Sequence, residues 1–351
     1  MAKLKTAVIG CGGRGRNHTE AYAQSKDTEL AAFVDIVPER AKQLSEKYPG
    51  AAAYTDYRKM LREVKPDVVA MCTWPESHKR IVVAAARAGA KIINAEKPMA
   101  PTYGEALAMH RECEKAGAVC TYSHQRRFSS DFVKAKQLLK DGAIGELRRL
   151  EGSCPNMFDW GTHWFDMMFF FNDQVPASWV MAQIDVSRDS KVFGATLETS
   201  GVSFVKFQNE VNGLMITTSE GGEPPANALM DRGGFLVVGT EGTMLVHAHE
   251  CPLELRRIGG KKPERPDLSK VEVLHPDPTI AGILDSIDAW KKGREPELAS
   301  RKALMATELI FATYESSRSR GRIALPLKTK DSALLAMLAD GQIGYAKSGR
   351  K

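Results

Sequence analysis

The sequence predicts an α/β protein in two parts, a parallel sheet layered with helices followed by a larger, mostly antiparallel sheet. Three observations carry this reading. The first ~123 residues alternate short β-rich apolar runs with helical patterns, as strands joined by helical crossovers do. Beyond residue ~124, helical stretches lead into segments that alternate apolar and polar residues, the pattern of half-buried antiparallel strands. At 351 residues the chain is also too long for one ordinary core.

In the first part the expected strands are Lys5–Gly10, Leu30–Asp35, Asp67–Cys72, Lys91–Ala95 and Val119–Tyr122, with helices between them. One helix opens at Thr102, where Glu105 completes a capping box. In the second part, helices over about 129–141 and 159–171 precede strands at Ser203–Gln208, Leu214–Thr218 and Phe235–Val238. Gly221-Gly222 and Gly233-Gly234 read as turns, and Gly259-Gly260-Lys261-Lys262-Pro263 as a surface loop. Two more helices follow at roughly 279–292 and 300–317. The expected division is a domain over 1–123, a second over 124–327 and a basic tail over 328–351.

Composition narrows the function classes. With 43% hydrophobic and 26% charged residues the chain is globular rather than disordered. No apolar run approaches the ~18 residues of a membrane span, and the densest, Trp164 to Phe171, contains Asp166. The start, Met1-Ala2-Lys3-Leu4-Lys5, enters a strand without a signal-like apolar region, so a cytoplasmic protein without membrane partners is expected. Six cysteines (11, 72, 113, 120, 154 and 251) lie far apart with no C-x-x-C pair, which argues against a disulfide framework or zinc knuckle. The net charge of +6 resides in residues 316–351, where eight Lys/Arg meet only Asp331 and Asp340. That is a solvated tail, and with no nucleic-acid motif nearby no such partner is expected.

The most specific motif is near the start. Strand residues Thr6-Ala7-Val8-Ile9 run into Gly10-Cys11-Gly12-Gly13-Arg14-Gly15 and a helix start, and Asp35 ends the next strand. A lone G-x-G-x-x-G is weak evidence; placed between strand and helix, twenty residues before an acid, it is the dinucleotide-binding fingerprint of a Rossmann domain. Gly10 allows the tight turn, Gly12 lets the backbone approach a pyrophosphate, and Gly15 lets helix and strand pack closely. Helix-start N–H groups at Gly13 and Arg14 would hold the phosphates. Asp35 would accept ribose hydroxyls and repel a 2′-phosphate, so NAD is expected over NADP unless Arg40 compensates.

Further motifs are Thr73-Trp74-Pro75-Glu76-Ser77-His78, Glu96-Lys97-Pro98, Gln125-Arg126-Arg127-Phe128 and Asp159-Trp160-Gly161-Thr162-His163. With Gly142-Ala143-Ile144-Gly145, Gly239-Thr240-Glu241-Gly242-Thr243 and Glu315 to Arg322, they resemble the glucose–fructose oxidoreductase/inositol dehydrogenase (Gfo/Idh/MocA) family over about residues 4–327. The resemblance implies a Rossmann domain followed by an α/β domain with an open sheet, packed into homodimers or homotetramers. It implies NAD(P) and a sugar, inositol or related polyol. By the same resemblance Thr73, Trp74, Pro75, His78, Glu96 and Lys97 lie at the cofactor. Lys97, Arg127, Asn156, Asp159 and His163 lie at the substrate. One departure stands out: many relatives have some twenty residues before the D-x-x-x-H stretch, ending in a glycine run, where this chain has only Ser153-Cys154-Pro155-Asn156-Met157-Phe158. A wall of the pocket is therefore missing or replaced.

The residues also support a chemistry of their own. Lys97 follows the Lys91–Ala95 strand, at the carboxyl end where a nicotinamide sits, and Pro98 keeps its backbone extended. A lysine in a partly dry cleft can exchange protons. Asp159, His163 and Asp166 are spaced to share one helical face, with Trp160, Trp164, Met167 and Phe171 as an apolar stripe beside it. His163 reads as an acid/base or hydroxyl-binding group supported by Asp159. A satisfied core histidine, with Asp159 as a helix cap, and a metal-binding pair stay open at this point. Of Arg126 and Arg127, one is expected to reach the cleft.

The expected function is NAD-dependent hydride transfer at a secondary hydroxyl of a sugar, inositol or glycoside, with Lys97, His163 and Asp159 catalytic and no metal. Two alternatives remain. One is transient sugar oxidation by tightly held NAD followed by glycoside elimination; the other is a non-catalytic NAD sensor.

Overall fold

The computed structural model describes residues 2–218, 234–247 and 251–344. Through residue 122 the elements are β1 (Leu4–Ile9), α1 (Gly13–Gln24), β2 (Thr28–Val34), α2 (Pro38–Lys47), β3 (Ala52–Tyr54), α3 (Tyr57–Val64), β4 (Val68–Met71), α4 (Pro75–Arg87), β5 (Ile92–Ala95), α5 (Tyr103–Ala116) and β6 (Val119–Tyr122). There follow α6 (Ser130–Lys140), β7 (Leu147–Cys154), α7 (Gly161–Phe171), β8 (Ala177–Asp185), β9 (Lys191–Val192), β10 (Ala195–Thr196), β11 (Ser200–Phe207) and β12 (Asn212–Thr218). The last are β13 (Phe235–Gly239), β14 (Gly242–Val246), β15 (Leu253–Arg257), α8 (Pro278–Lys292), α9 (Ser300–Ser319), β16 (Ile323–Ala324) and α10 (Ala333–Ala339).

The described residues form two compact units. The first lies within Met1–Pro101, Glu105–Phe128 and Leu274–Leu304, the second within Thr102–Gly104, Ser129–Val273 and Met305–Lys351. The split differs from a cut after residue 123, because the segment around α8 returns to the first unit. The Gly221-Gly222 turn, Gly233 and the last seven residues of the basic tail lie outside the described residues.

In the first unit six parallel strands run in the order β3-β2-β1-β4-β5-β6, the doubly wound arrangement. A parallel sheet is covered on both faces, which explains why β4 (Val-Val-Ala-Met) and β5 (Ile-Ile-Asn-Ala) are buried throughout. One face packs Ile9, Val69, Met71 and Ile93 against Ile81, Val82 and Met109. The other packs Val8, Val68, Ala70 and Ile92 against Tyr22 and, from far along the chain, Ile280, Ile283 and Ile287 of α8. A buried polar knot fixes α8 there: Asn94 donates to Thr121 Oγ1 (2.7 Å) and Ser286 Oγ (2.9 Å), and accepts from the Tyr22 hydroxyl (2.5 Å). The expected strands are present within one or two residues of their ends; β3 was not anticipated.

In the second unit eight strands run β15-β14-β13-β7-β12-β11-β8-β16, antiparallel except for the β7–β12 pair. This is the open, mostly antiparallel sheet expected. Its inner face carries Val205, Phe207, Met215, Phe235, Val237, Met244 and Val246, all buried. Phe171 stacks on Phe235 with ring centroids 5.6 Å apart, and Trp164 lies 5.8 Å from the same ring. Helix α7 sits so close that a Cβ on Gly152 would lie 3.0 Å from Trp164 Cβ. The outer face carries Trp179, Met181, Val202 and Phe204, half-buried or exposed. The Gly259–Pro263 loop is exposed as expected. Among the described residues no helix is long and apolar enough to cross a membrane.

Candidate active site

The nucleotide loop is shaped by what glycine alone permits. Gly10 has φ +91°, and a Cβ there would fall 2.4 Å from the Cys72 carbonyl oxygen. A Cβ on Gly15 would fall 1.8 Å from the Gly10 carbonyl oxygen, so α1 could not start where it does with any other residue. Gly12 and Gly13 face open space instead. Helix α1 has no side-chain cap and no acid in its first turn, so its leading N–H groups point at that space unclaimed by side chains. A pyrophosphate would fit there.

Asp35 closes the other side of the loop. Its Oδ2 accepts from the Cys11 N–H (2.8 Å) and its Oδ1 from the Val37 N–H (2.9 Å). Each oxygen keeps a lone pair for a ligand hydroxyl. Burial, with Asp35 adding to it, pushes the Cys11 thiol up to about 12, so Cys11 is an inert packed group.

Beneath the loop lies a charge cluster centred on Glu96. Arg14 donates to Glu96 Oε1 from Nε (2.9 Å) and Nη2 (2.7 Å), and His18 Nε2 sits 2.9 Å from the same oxygen. Arg14 and His18 are one helical turn apart, so both reach one point. Burial alone would raise the Glu96 carboxyl, but His18 and Arg14 hold it down to about 2. All three nitrogens meet Oε1; Oε2 takes no donor among the described residues and remains available to a cofactor hydroxyl. Lys97, half-buried, follows directly, and its peptide bond to Pro98 is cis.

The Thr73–His78 stretch divides its tasks. Trp74 is 61% exposed and Pro75 opens α4 buried. The Ser77 hydroxyl donates to Thr73 Oγ1 (2.7 Å). His78 is fully buried, with Nδ1 3.0 Å from the Met99 carbonyl and Nε2 2.9 Å from that of Thr73. Burial keeps its pKa below the ordinary histidine value despite those carbonyls. His78 therefore supports the backbone on either side of the site rather than facing a cofactor. Arg127 is also buried, and its Nη1 donates to Glu297 Oε1 (2.8 Å), a carboxylate also bonded by Lys302 (3.1 Å). Burial would raise the Glu297 carboxyl, but the two cations bring it below the ordinary range.

In the second unit the sequence reading needs correction. Asp159 does not lie on the helix with His163: α7 begins at Gly161, and Asp159 belongs to the turn before it. The cause is Asn156, whose Oδ1 accepts from the N–H groups of Asp159 (2.7 Å) and Trp160 (3.4 Å) and whose carbonyl accepts from Gly161 (2.8 Å). Asn156, not Asp159, organises the helix start. Trp160 is 41% exposed and leaves the expected apolar stripe, while α7 is buried on every side except at Phe170. Asn156, Asp159, His163 and Asp166 are all buried. The sequence reading missed the parts of His18, Glu297 and the Asn156 turn. Only His18 left a signal, its one-turn spacing from Arg14. Among the described residues no three or more His, Cys, Asp or Glu side chains are grouped to hold a metal ion.

The Glu96 cluster makes a pH prediction. The folded carboxyl titrates near 2 against an ordinary value of 4.5, so its stabilisation is complete above the ordinary value and is lost as pH falls toward 2. The linkage is worth on the order of 3 kcal/mol. Melting temperature measured from pH 6 to pH 2 should fall less steeply for Glu96→Gln than for the wild type; equal slopes would refute the assignment.

Known proteins share this architecture. The family described as "Oxidoreductase family, NAD-binding Rossmann fold" matches residues 4–124. A D-apiose dehydrogenase from Paraburkholderia graminis is 25% identical over 98% of this chain and 95% of its own length. A D-glucoside 3-dehydrogenase from Escherichia coli is 34% identical over 41% of each chain. The solved structure of a levoglucosan dehydrogenase with NADH and levoglucosan superposes with a TM-score of 0.77 at 19% identity, covering 93% of this chain and all of that one, a likeness of fold. With the glycine loop, the acid at the end of β2 and the Glu96-Lys97-Pro98 motif in one unit, the chain is an NAD-binding oxidoreductase whose residues 4–124 match that family and whose whole length is similar to a D-apiose dehydrogenase.

Proposed function

We propose that this oxidoreductase moves a hydride between a secondary hydroxyl of a sugar, inositol or glycoside and NAD. The observation that carries the proposal is the position of Lys97. It directly follows Glu96, whose carboxylate is tied to α1 by Arg14 and His18, so the lysine is held in register with the phosphate-binding loop. The sugar dehydrogenases among its relatives support the substrate class.

Bound NAD would supply the hydride acceptor. The glycine loop and helix start bind its phosphates, Asp35 and Glu96 Oε2 its ribose hydroxyls, and Trp74 lies along its edge. Thr73 and Pro75 shape the adjoining backbone. Lys97 takes the proton of the reacting hydroxyl. His163 binds or relays that proton with Asp159 as its carboxylate, and Asn156 and Arg127 help to seat the sugar. Residues 124–327 furnish substrate binding and self-association. The outer sheet face of Trp179, Met181, Val202 and Phe204 is the surface for a second copy, giving a homodimer or a homotetramer. Six cysteines without a disulfide suit work in the cytoplasm.

A screen of sugars, inositols and glycosides for NADH formation tests the reaction; no NADH with any of them would end the proposal. On the substrate found, Lys97→Ala should lower kcat by about 10²–10⁴-fold with NAD affinity unchanged. Lys97→Arg should not restore it, because a guanidinium keeps its proton. Near-normal kcat in Lys97→Ala would make the lysine structural.

Cofactor choice is separable. Titration with NAD and NADP should show tighter NAD binding, and Asp35→Ser should narrow the difference; tighter NADP binding by the unmodified protein would contradict the role given to Asp35.

Self-association has its own measurement. Met181 is 57% exposed, so Met181→Glu should leave the fold intact and shift sedimentation toward the monomer. An unchanged oligomer would move the interface elsewhere.

A further inference from the structure

One buried carboxyl group reaches the short segment 153–158. At one end of the second unit's sheet, β7 finishes at Cys154 opposite Thr217 of β12, and Ser200 at the start of β11 pairs with Asp185 at the end of β8. The turn 155–160 and the excursion 186–199 therefore leave the sheet from the same end. The excursion is a hairpin of β9 and β10 closed at its base, where the Leu197 N–H donates to the Ser190 carbonyl (2.9 Å) and the Thr199 N–H to that of Asp185 (2.9 Å). Between these two bonds stands Glu198, fully buried.

Its two oxygens have separate partners. Oε1 accepts from the backbone N–H of Met157 (2.5 Å) and Oε2 from the Tyr314 hydroxyl (2.7 Å). Met157 lies inside the turn, between Asn156 and Asp159. Its side chain packs over Gly201, where a Cβ would come 3.1 Å from the Met157 methyl. Burying a carboxyl group costs stability, and burial raises its pKa despite both donors. Apolar packing would fill the space without that cost, but it would leave the Met157 N–H without an acceptor.

We propose that Glu198, braced by Tyr314, is a positioning residue of the reaction: it fixes the backbone at Met157 and thereby sets where Asn156, Asp159 and His163 stand. The role in catalysis rests on the function proposed above; the hold on the turn does not. The short segment 153–158 is kept in place by a hydrogen bond to the neighbouring excursion.

The test uses the 351-residue chain with Glu198→Ala, Glu198→Gln and Tyr314→Phe. Without substrate, amide hydrogen exchange across residues 154–161 should quicken about tenfold or more in Glu198→Ala and stay near wild type in Glu198→Gln, whose amide can accept from Met157 and donate to Tyr314. On the substrate found, kcat/KM should fall about 10–100-fold in Glu198→Ala with NAD affinity unchanged, and Glu198→Gln should recover most of it. A turn still protected in Glu198→Ala, or a loss in Glu198→Gln as deep as in Glu198→Ala, overturns the proposal. If Glu198→Ala does not fold, Tyr314→Phe decides by the same two readouts with a smaller shift expected, and no shift in either overturns it. Absence of any sugar oxidation by the wild type would refute the reaction alone, since the exchange experiment still decides whether Glu198 holds the turn.

Discussion

The nucleotide-binding half depends on one buried carboxylate oxygen. Glu96 stands at the end of β5, and its Oε1 gathers Arg14 and His18 from α1. A lone carboxylate in that setting would be costly; with two partners from one helix it becomes the tie between the phosphate-binding helix and the strand that precedes Lys97. The loop is crowded at Gly10 and Gly15 and open at Gly12 and Gly13, where a pyrophosphate would fit. Asp35 completes the frame by taking a backbone bond from within the loop. A phosphate bound there would meet a seat already formed by the protein, which would spare binding the entropy of ordering it.

Much of this was legible in the residues. β1, β2, β4, β5 and β6 show themselves because strands buried on two faces are rich in apolar residues, unbroken in β4 and interrupted by Lys5, Glu29, Asn94 or Thr121 in the others. β3 is not legible: Ala52-Ala53-Tyr54 has no β-branched residue and is a strand only because β2 offers it partners. Motif spacing marked Gly10 to Gly15 and Asp35, since loop geometry and sequence spacing are nearly the same thing there. Spacing failed at Asp159. Four residues of separation imply a shared helical face only if a helix joins them, and the Asn156 side chain draws the preceding residues into a turn. His78 and Glu96 were read as cofactor neighbours; the structure gives His78 wholly to backbone support and divides Glu96 between support on one oxygen and access on the other.

The second unit has a different economy of polar groups. Its aromatic core of Phe132, Trp164, Phe171 and Phe235 packs ring against ring, and Trp164 Nε1 donates to the Ser153 carbonyl (2.7 Å). Buried Asn156, Asp159 and Glu198 lie where β7 and the excursion before β11 give way to turns.

The return of α8 to the first unit has a consequence for how the protein is made. Ile280, Ile283 and Ile287 cover one face of a sheet whose last strand is complete by Tyr122. A ribosome working at about 5–20 residues per second needs on the order of 10–30 s to go from that strand to the end of α8. For all of that interval the face of the nascent N-terminal sheet that α1 and α2 cover in part lacks the share contributed by α8. The nucleotide-binding unit is contiguous in space but not in time, and when its core is completed during synthesis follows from the order of the chain rather than from the shape it reaches.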